Sequence, residues 1–402
     1  CKIAISDNPE NKEKENIIYV ENTLIALQEL ANYHRSQFKI PVLAITGTNG
    51  KTTTKELLAC ALSTKFDLLY TLGNLNNHIG VPLTLLSMPT DTDFAVIEMG
   101  ASAGGEIGYL CSIAEPDIAL INNVQSSHIE GFGSVEAVAS AKGEIYSGLK
   151  SAGIAIVNLD QPWCDQWREL IDGKPSLTFS VSDAAADISA TAINVMANGC
   201  CSFVLRVNLI SGQPALEQPV ELSIPGTHAV ENALAASACA LAAGASLEQI
   251  AAGLGLVSAI AGRLEFKPLA NNSAVIDDSY NASPSSFRAA IDVLANRAGR
   301  KILVMGDMAE LGEDSINMHS EVGAYALEAG IDALYAVGEQ SASACAAFGG
   351  NHFQSRELLA TAVAQELSRA SADNRPVTFL VKGSRSAGME KIVEHLITRG
   401  NT

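Results

Sequence analysis

Residues 40–53 read Ile-Pro-Val-Leu-Ala-Ile-Thr-Gly-Thr-Asn-Gly-Lys-Thr-Thr, and this stretch decides the fold. Its first seven residues, Ile40 to Thr46, are apolar and largely β-branched, the pattern of a strand buried on both faces of a parallel sheet. The turn that follows, Gly47 to Gly50, lets the backbone reverse tightly and point N–H groups at an anion; the next helix adds its dipole. Strand, glycine loop and helix together predict a nucleotide phosphate site in which Gly47, Thr48, Asn49, Gly50 and Thr53 form the cradle. Lys51 would reach the β- and γ-phosphates, and the Thr52 hydroxyl would ligate Mg²⁺. The loop departs from the usual G-x-x-x-x-G-K-[ST] spacing, since Ile45 stands where the first glycine belongs. A glycine-rich turn with a surface lysine is the plainer alternative, and the strand–loop–helix context outweighs it.

Outward from this loop, short apolar runs recur at Phe94 to Met99, Ile118 to Ile121 and Ile154 to Val157, separated by helix-like stretches. That alternation predicts an α/β domain with crossover helices. A helical stretch is expected upstream, from Asn22 to Ser36, with Leu24, Leu27, Leu30 and Ala31 on one face. Between Ser176 and Pro225 the pattern becomes alternating and turn-punctuated, as in Cys201 to Val207, and predicts a mostly antiparallel β-rich appendage. A helix follows from about Ala229 to Ala243. After Gly262-Arg263 a second α/β rhythm begins, with strands at Ala274–Asp277, Lys301–Met305, Ala333–Val337 and Val377–Val381. The fold class is therefore α/β: a central phosphate-loop ATPase domain with a mostly parallel sheet and a β-rich appendage, then a Rossmann-like C-terminal α/β domain.

Composition narrows the function classes. With 26 Lys+Arg against 44 Asp+Glu, the net charge is −18, which argues against nucleic-acid or anionic-membrane binding. At 48% hydrophobic and 17% charged residues the chain belongs with globular proteins, not disordered ones. No apolar run approaches the roughly 20 residues that span a bilayer, so no membrane insertion is expected. Eight cysteines lie scattered without CxxC spacing, which suits a reduced, cytoplasmic protein.

Single residues carry less on their own. Glu98 ends a buried strand where α/β sheets present their ligands, and it could hold Mg²⁺ or merely cap the next turn. His128, in Ser126-Ser-His-Ile-Glu-Gly-Phe132, is by itself more simply a hydrogen-bonded structural histidine. Lys142 would ordinarily be a surface lysine. His228 and Asn232 share one face of a helix start, where capping is the ordinary role.

Taken in order, however, these pieces resemble one family. The Gly-Thr-Asn-Gly-Lys-Thr-Thr loop resembles the ATP loop of the Mur ligases and folylpolyglutamate synthases. Gly73-Asn-Leu-Asn-Asn-His-Ile-Gly80, Glu98-Met-Gly-Ala101, His128, Ala141-Lys-Gly-Glu144 and Gly226-Thr-His228 with Asn232 follow in family order. Asp277-Asp-Ser-Tyr-Asn-Ala282, Gly306-Asp-Met-Ala-Glu-Leu-Gly312 and Val381-Lys-Gly-Ser-Arg385 then select one branch of the Mur ligases.

The resemblance implies a peptidoglycan-precursor ligase. ATP would phosphorylate the peptide carboxylate of UDP-N-acetylmuramoyl-tripeptide, and the amine of D-alanyl-D-alanine would attack the acyl phosphate. By the same resemblance Thr52, Glu98 and His128 belong to the Mg²⁺ sites, and Lys142 matches a lysine that CO₂ converts to a carbamate. Asn232 matches the position that contacts the base, and Arg263 would reach the γ-phosphate. Asp278, Tyr280, Asn281, Lys382 and Arg385 would close over ATP and the dipeptide, with Asn76 and Asn77 along the muramoyl-peptide path. Two departures stand out: Ala261 where the family commonly has Pro, and Glu231 before Asn232.

The domains expected are 1–20, a remnant of an N-terminal uridine-binding domain; 21–262, the central ATP-binding domain; and 263–402, the C-terminal domain. A monomer is expected. A folylpolyglutamate synthase and a non-catalytic nucleotide switch are the alternatives. The Asp-Asp-Ser-Tyr-Asn-Ala run speaks against the first, and the lack of an Asn-Lys-x-Asp guanine motif against the second.

Overall fold

The computed structural model describes residues 3–126, 129–196, 198–209 and 213–400. Its centre is a nine-stranded sheet in which Val42–Thr46 lies between Phe94–Glu98 and Ile118–Ile121, both parallel to it. Leu68–Tyr70 forms one edge beyond Phe94–Glu98. On the other side follow Ile154–Asn158, Ser176–Ser180, Ile188–Val195, Cys200–Val207 and Leu216–Pro225. Every residue of Val42–Thr46 is buried, as its unbroken apolar run requires. Register pairs Ile45 with Glu98 and Thr46 with Ile121, so the strand ends flank the phosphate loop at the carboxyl edge of the sheet.

Helices cover both faces. Lys51–Ser63 and His228–Ala242 pack on one face, around Leu57, Leu58, Ala233 and Ala236, all fully buried. The alanines matter because they let two helices and the sheet approach closely without leaving voids. On the opposite face Thr23–Ser36, Glu106–Ala114, Val135–Ser147 and Cys164–Ile171 enclose a second apolar layer with Trp167 at its centre.

The segment from Ser176 to Pro225 continues this sheet instead of forming one of its own. Ser176–Ser180 and Ile188–Val195 pair in parallel, and only Cys200–Val207 runs against the sheet, antiparallel to both Ile188–Val195 and Leu216–Pro225. The alternation seen in the sequence is real, but it reflects strands of a sheet margin with one wet face.

Helix Thr23–Ser36 also differs from its expected face. Gln28, Ala31 and Arg35 are buried, whereas Leu30 is exposed. Arg35 is tolerated inside because its guanidinium donates to the carbonyls of Ala114, Phe38 and Ile40 at 3.0, 2.7 and 3.1 Å. Asp117 lies 3.5 Å away.

The second unit is a six-stranded sheet in the order Glu265–Pro268, Ala274–Asp278, Val377–Lys382, Arg300–Gly306, Ala333–Val337 and Asn351–Phe353. All neighbours are parallel except the first pair. Asp278 and Lys382 are register partners, so both side chains end at the same carboxyl edge. A separate parallel pair, Ala4–Ser6 with Ile17–Tyr19, precedes the central sheet. Among the described residues no helix is long and apolar enough to cross a membrane.

Candidate active site

The phosphate loop is held from beneath by the end of strand Ile118–Ile121. Thr48 N–H donates to the Asn123 carbonyl at 2.8 Å, and Asn49 N–H to Asn123 Oδ1 at 2.9 Å. Gly50 has φ +76°, and a Cβ there would run into the side chains of Asn232 and Asn122. Glycine is therefore required twice over at this position, by backbone and by space. Lys51 folds back onto the loop, donating to the carbonyls of Gly47 and Thr48 at 2.7 and 3.0 Å. Burial depresses its pKa, opposed by the charge of Glu98 and aided by that of Arg263.

Thr52 and Glu98 form the next layer. Thr52 Oγ1 donates to Glu98 Oε2 at 2.9 Å, and Asn76 Nδ2 donates to Glu98 Oε1 at 2.8 Å. From the second unit Arg263 reaches across and donates from Nη2 to Thr52 Oγ1 at 3.0 Å, its guanidinium lying 4.2 Å from the Tyr280 ring centre. A second bridge joins Asn49 Nδ2 to Ser285 Oγ at 3.0 Å, at the first turn of helix Pro284–Ala295. The two units are thus closed on each other through the loop itself.

Lys142, on helix Val135–Ser147, is 2% exposed and has no hydrogen-bond partner among the described residues. Burial, and then the nearby Lys51 ammonium, push its pKa well below the usual lysine range. A buried lysine without a hydrogen-bond partner among the described residues is an unusual arrangement. Glu144, one turn-step on, instead caps helix Glu106–Ala114, accepting from the N–H groups of Gly105 and Gly108 at 2.6 and 2.9 Å.

Asp278 and Lys382 pair directly, and Lys382 also donates to the Asn281 carbonyl at 2.9 Å. Asp278 Oδ1 accepts from Leu264 N–H at 3.1 Å, which fixes the chain next to Arg263. Asn77 spends its oxygen on the N–H groups of Ile79 and Gly80, a local turn. Arg385 stays largely exposed, 4.0 Å from Glu390.

One cleft of about 890 Å³ collects Thr48 to Thr53, Asn76, Asn77, Glu98 and Lys142 with Asn232. From the second unit it collects Arg263, Asp278, Tyr280, Asn281, Lys382 and Arg385. Gly47 lies behind the wall, packed against Asn122 and Asn123. His128 falls outside the described residues. The sequence reading missed the supports: Asn122, Asn123 and Gln125 behind the loop, and Ser283 and Ser285 facing Asn49. Only the placement of Asn122-Asn123 after a buried strand, beside the phosphate loop, could have signalled the first two.

A phosphate loop met by an arginine from a second α/β unit, over a cleft holding an oxygen-donor pair and a buried lysine, defines an ATP-dependent ligase class. The comparisons agree. The pattern of the Mur ligase middle domain matches residues 45–240, and that of the Mur ligase glutamate ligase domain residues 262–385. The chain belongs to the Mur ligase family. It is 44% identical over 384 residues to the UDP-N-acetylmuramoyl-tripeptide–D-alanyl-D-alanine ligase of Escherichia coli K12, covering 95% of this chain and 82% of that protein.

A crystal structure of MurF from Acinetobacter baumannii superimposes with TM-score 0.90 at 35% identity, over 99% of this chain and 85% of that one. MurF from Thermotoga maritima, solved in complex with ADP, gives TM-score 0.85 at 27% identity, over 99% and 89%. A folylpolyglutamate synthase of Mycobacterium tuberculosis shares the fold at 16% identity and TM-score 0.73, over 92% and 94%. That alternative is accordingly distant, and the protein is a ligase of the muramoyl-peptide branch.

Proposed function

We propose that the protein joins D-alanyl-D-alanine to UDP-N-acetylmuramoyl-tripeptide, using ATP and Mg²⁺, through an acyl phosphate. The observation that carries this reading is the convergence in one cleft of Lys51, Thr52, Glu98 and Lys142 with Arg263, Asp278 and Lys382 from the other unit. We divide the chain for this purpose into 21–262 and 263–402, with Gly262, φ +68°, at the joint.

The residue types fit the chemistry. Moving the γ-phosphoryl group onto a carboxylate brings anions together, so positive charge and N–H donors must already be in place. Lys51 would leave the Gly47 and Thr48 carbonyls and turn to the β- and γ-phosphates. Arg263, braced on Tyr280, would meet the γ-phosphoryl group from the opposite side. The Thr52 hydroxyl and the Glu98 carboxylate are oxygen donors of the kind Mg²⁺ takes, with His128 a further ligand by resemblance. Bound there, Mg²⁺ would neutralise phosphate charge during transfer.

Lys142 fits the carbamate role on its own geometry. Its neutral amine nitrogen attacks the carbon of CO₂, a C–N bond forms, and one proton is released. A buried amine would thereby be replaced by an anionic oxygen donor beside Lys51. Asp278, paired with Lys382, would hold the segment through Asn281 against the nucleotide. Tyr280 and Arg385 would face the incoming dipeptide, and Asn76 and Asn77 the muramoyl peptide. Asn232 would contact the base.

The test is a coupled assay with muramoyl tripeptides carrying either diaminopimelate or lysine, each with D-alanyl-D-alanine. ADP release should require both acceptors and yield the pentapeptide product. Turnover with folate and glutamate, or ADP release without either acceptor, would overturn the proposal. The same assay decides which third residue is accepted.

A further inference from the structure

Glu231 stands next to Asn232 in the first turn of helix His228–Ala242 and lines the cleft. Its Oε1 accepts from Asn158 Nδ2 at 2.7 Å. Asn158 is itself immobilised: it is fully buried, its Nδ2 also donates to the Asn122 carbonyl at 2.9 Å, and its Oδ1 accepts from Asp160 N–H at 3.0 Å. Both amide hydrogens of Asn158 are therefore spent, and the carboxylate is fixed in one orientation. Glu231 Oε2 has no hydrogen-bond partner among the described residues.

Asn232 shows the complementary pattern. Its Oδ1 accepts from Asn122 Nδ2 at 2.8 Å and from Thr54 Oγ1 at 3.3 Å. The carbonyl end is thus occupied, and the amide nitrogen keeps its donors. Asn232 also packs against Gly50, the residue before Lys51, and Glu231 lines the same cleft. On the reading that puts Asn232 against the base, a nucleotide with its phosphates on the loop would have its base at this end.

We infer that Glu231 is a specificity-determining residue that selects adenine, its Oε2 accepting from the exocyclic amine while Asn232 Nδ2 donates to the adjacent ring nitrogen. An acceptor beside a donor matches adenine on either edge, the 6-amino group with N1 or with N7. Guanine places an oxygen where that amine stands, and a carboxylate facing a carbonyl oxygen has no proton to share. Sites built to accept a substrate N–H reject analogues that lack it far more strongly than apolar pockets reject a changed methyl group. Burial pushes the Glu231 carboxyl above its ordinary range, with the Asn158 bond opposing and Asp160 reinforcing, and an N–H donated to Oε2 would counter that rise by favouring the carboxylate. The inference rests on reading the cleft as an ATP site.

The experiment is calorimetric binding of ADP and of GDP to the full chain, wild type against Glu231→Gln, Glu231→Ala and Asn158→Ala, with circular dichroism on each. Wild type should prefer ADP. Glu231→Gln should narrow the ADP-to-GDP affinity ratio by about tenfold or more, because its amide can turn an N–H toward the guanine oxygen. Glu231→Ala should weaken ADP and leave GDP little changed, and Asn158→Ala should narrow the ratio by freeing the carboxylate to rotate. ADP binding intact with an unchanged ratio in folded Glu231→Gln and Glu231→Ala would overturn the inference alone. Wild type that binds neither nucleotide would overturn the ATP reading as well.

Discussion

Lys142 is a buried lysine in the wall of the cleft. A lysine 2% exposed, with a depressed pKa, is poorly placed to act as a cation and well placed to react as an amine. Lys142→Arg, which keeps a charge and cannot form the carbamate, is expected to be inactive in the ligation assay. Lys142→Ala should also be inactive, and a short carboxylic acid added to the buffer should restore part of the rate by supplying the missing oxygens. An active arginine variant would show that the amine's charge, and not its carboxylation, is what counts.

Lys51→Ala should lower turnover by about 10²–10³-fold or more with an unaltered circular dichroism spectrum, as expected for losing a contact to charge that develops during transfer. At this scale the motifs pointed to residues that the structure gathers in one cleft, among them Lys51, Thr52, Glu98, Lys142 and Arg263. It was silent on Asn122, Asn123 and Asn158, whose roles come from what lies behind the loop in space. A buried asparagine after a strand has no local signature that separates support from ordinary turn formation.

Elements show where local pattern was enough and where it failed. Strands such as Val42–Thr46 and Ile118–Ile121 were legible because burial on both faces demands unbroken apolar runs. Leu68–Tyr70 and Asn351–Phe353 were not, since three residues are too few to establish a period. The buried positions of helix Thr23–Ser36 include Arg35, which donates to the Ala114 carbonyl far away in sequence, a partner that no periodicity records.

Gly50 gives the sharpest element-level expectation. Gly50→Ala should abolish measurable ADP binding by calorimetry, because the left-handed turn costs an L-residue about 1–2 kcal/mol and the new methyl group displaces Asn232 and Asn122. Near-normal affinity would mean the loop tolerates a different path.

The loop after strand Arg300–Gly306 offers a pH test. His319 is fully buried; its Nε2 accepts from Met308 N–H at 2.9 Å, and its Nδ1, 2.7 Å from the Ser315 carbonyl, must carry the proton. Burial lowers its pKa, against the pull of the Ser315 carbonyl and Asp307. With the folded value below the unfolded one, this stabilisation is complete above the ordinary histidine pKa of about 6.5 and is lost as pH falls toward the folded value. The melting temperature should therefore drop as pH is lowered below that range, and less steeply in His319→Gln. Parallel curves for the two proteins would remove His319 as the cause.

The whole molecule is described with its units together: Arg263 on Thr52, and Asn49 on Ser285. These bonds are few and polar, and such interfaces open readily. Small-angle scattering should report a larger radius of gyration without ligand than with an ATP analogue and the muramoyl substrate. Arg263→Ala should blunt that compaction while leaving ADP affinity less affected than ligation. An identical radius in all states would mean the units do not separate. The bilobal plan itself was readable from two successive α/β rhythms. The continuity of Ser176–Pro225 with the central sheet was not, because strand order depends on non-local pairing.

That continuity has a metrical consequence. Lys51 and Asn232 sit on neighbouring helices pressed to the same face of one uninterrupted sheet, with Gly50 touching the asparagine. The span between the phosphate end and the base end is consequently a fixed length, a ruler cut into a rigid body. On the proposed reading, ADP and ATP would register identically at the base, and the third phosphate would project beyond the ruler's end toward Arg263 on the other unit. The joint between the units would then sense whether the nucleotide is still charged with the group it is about to give up.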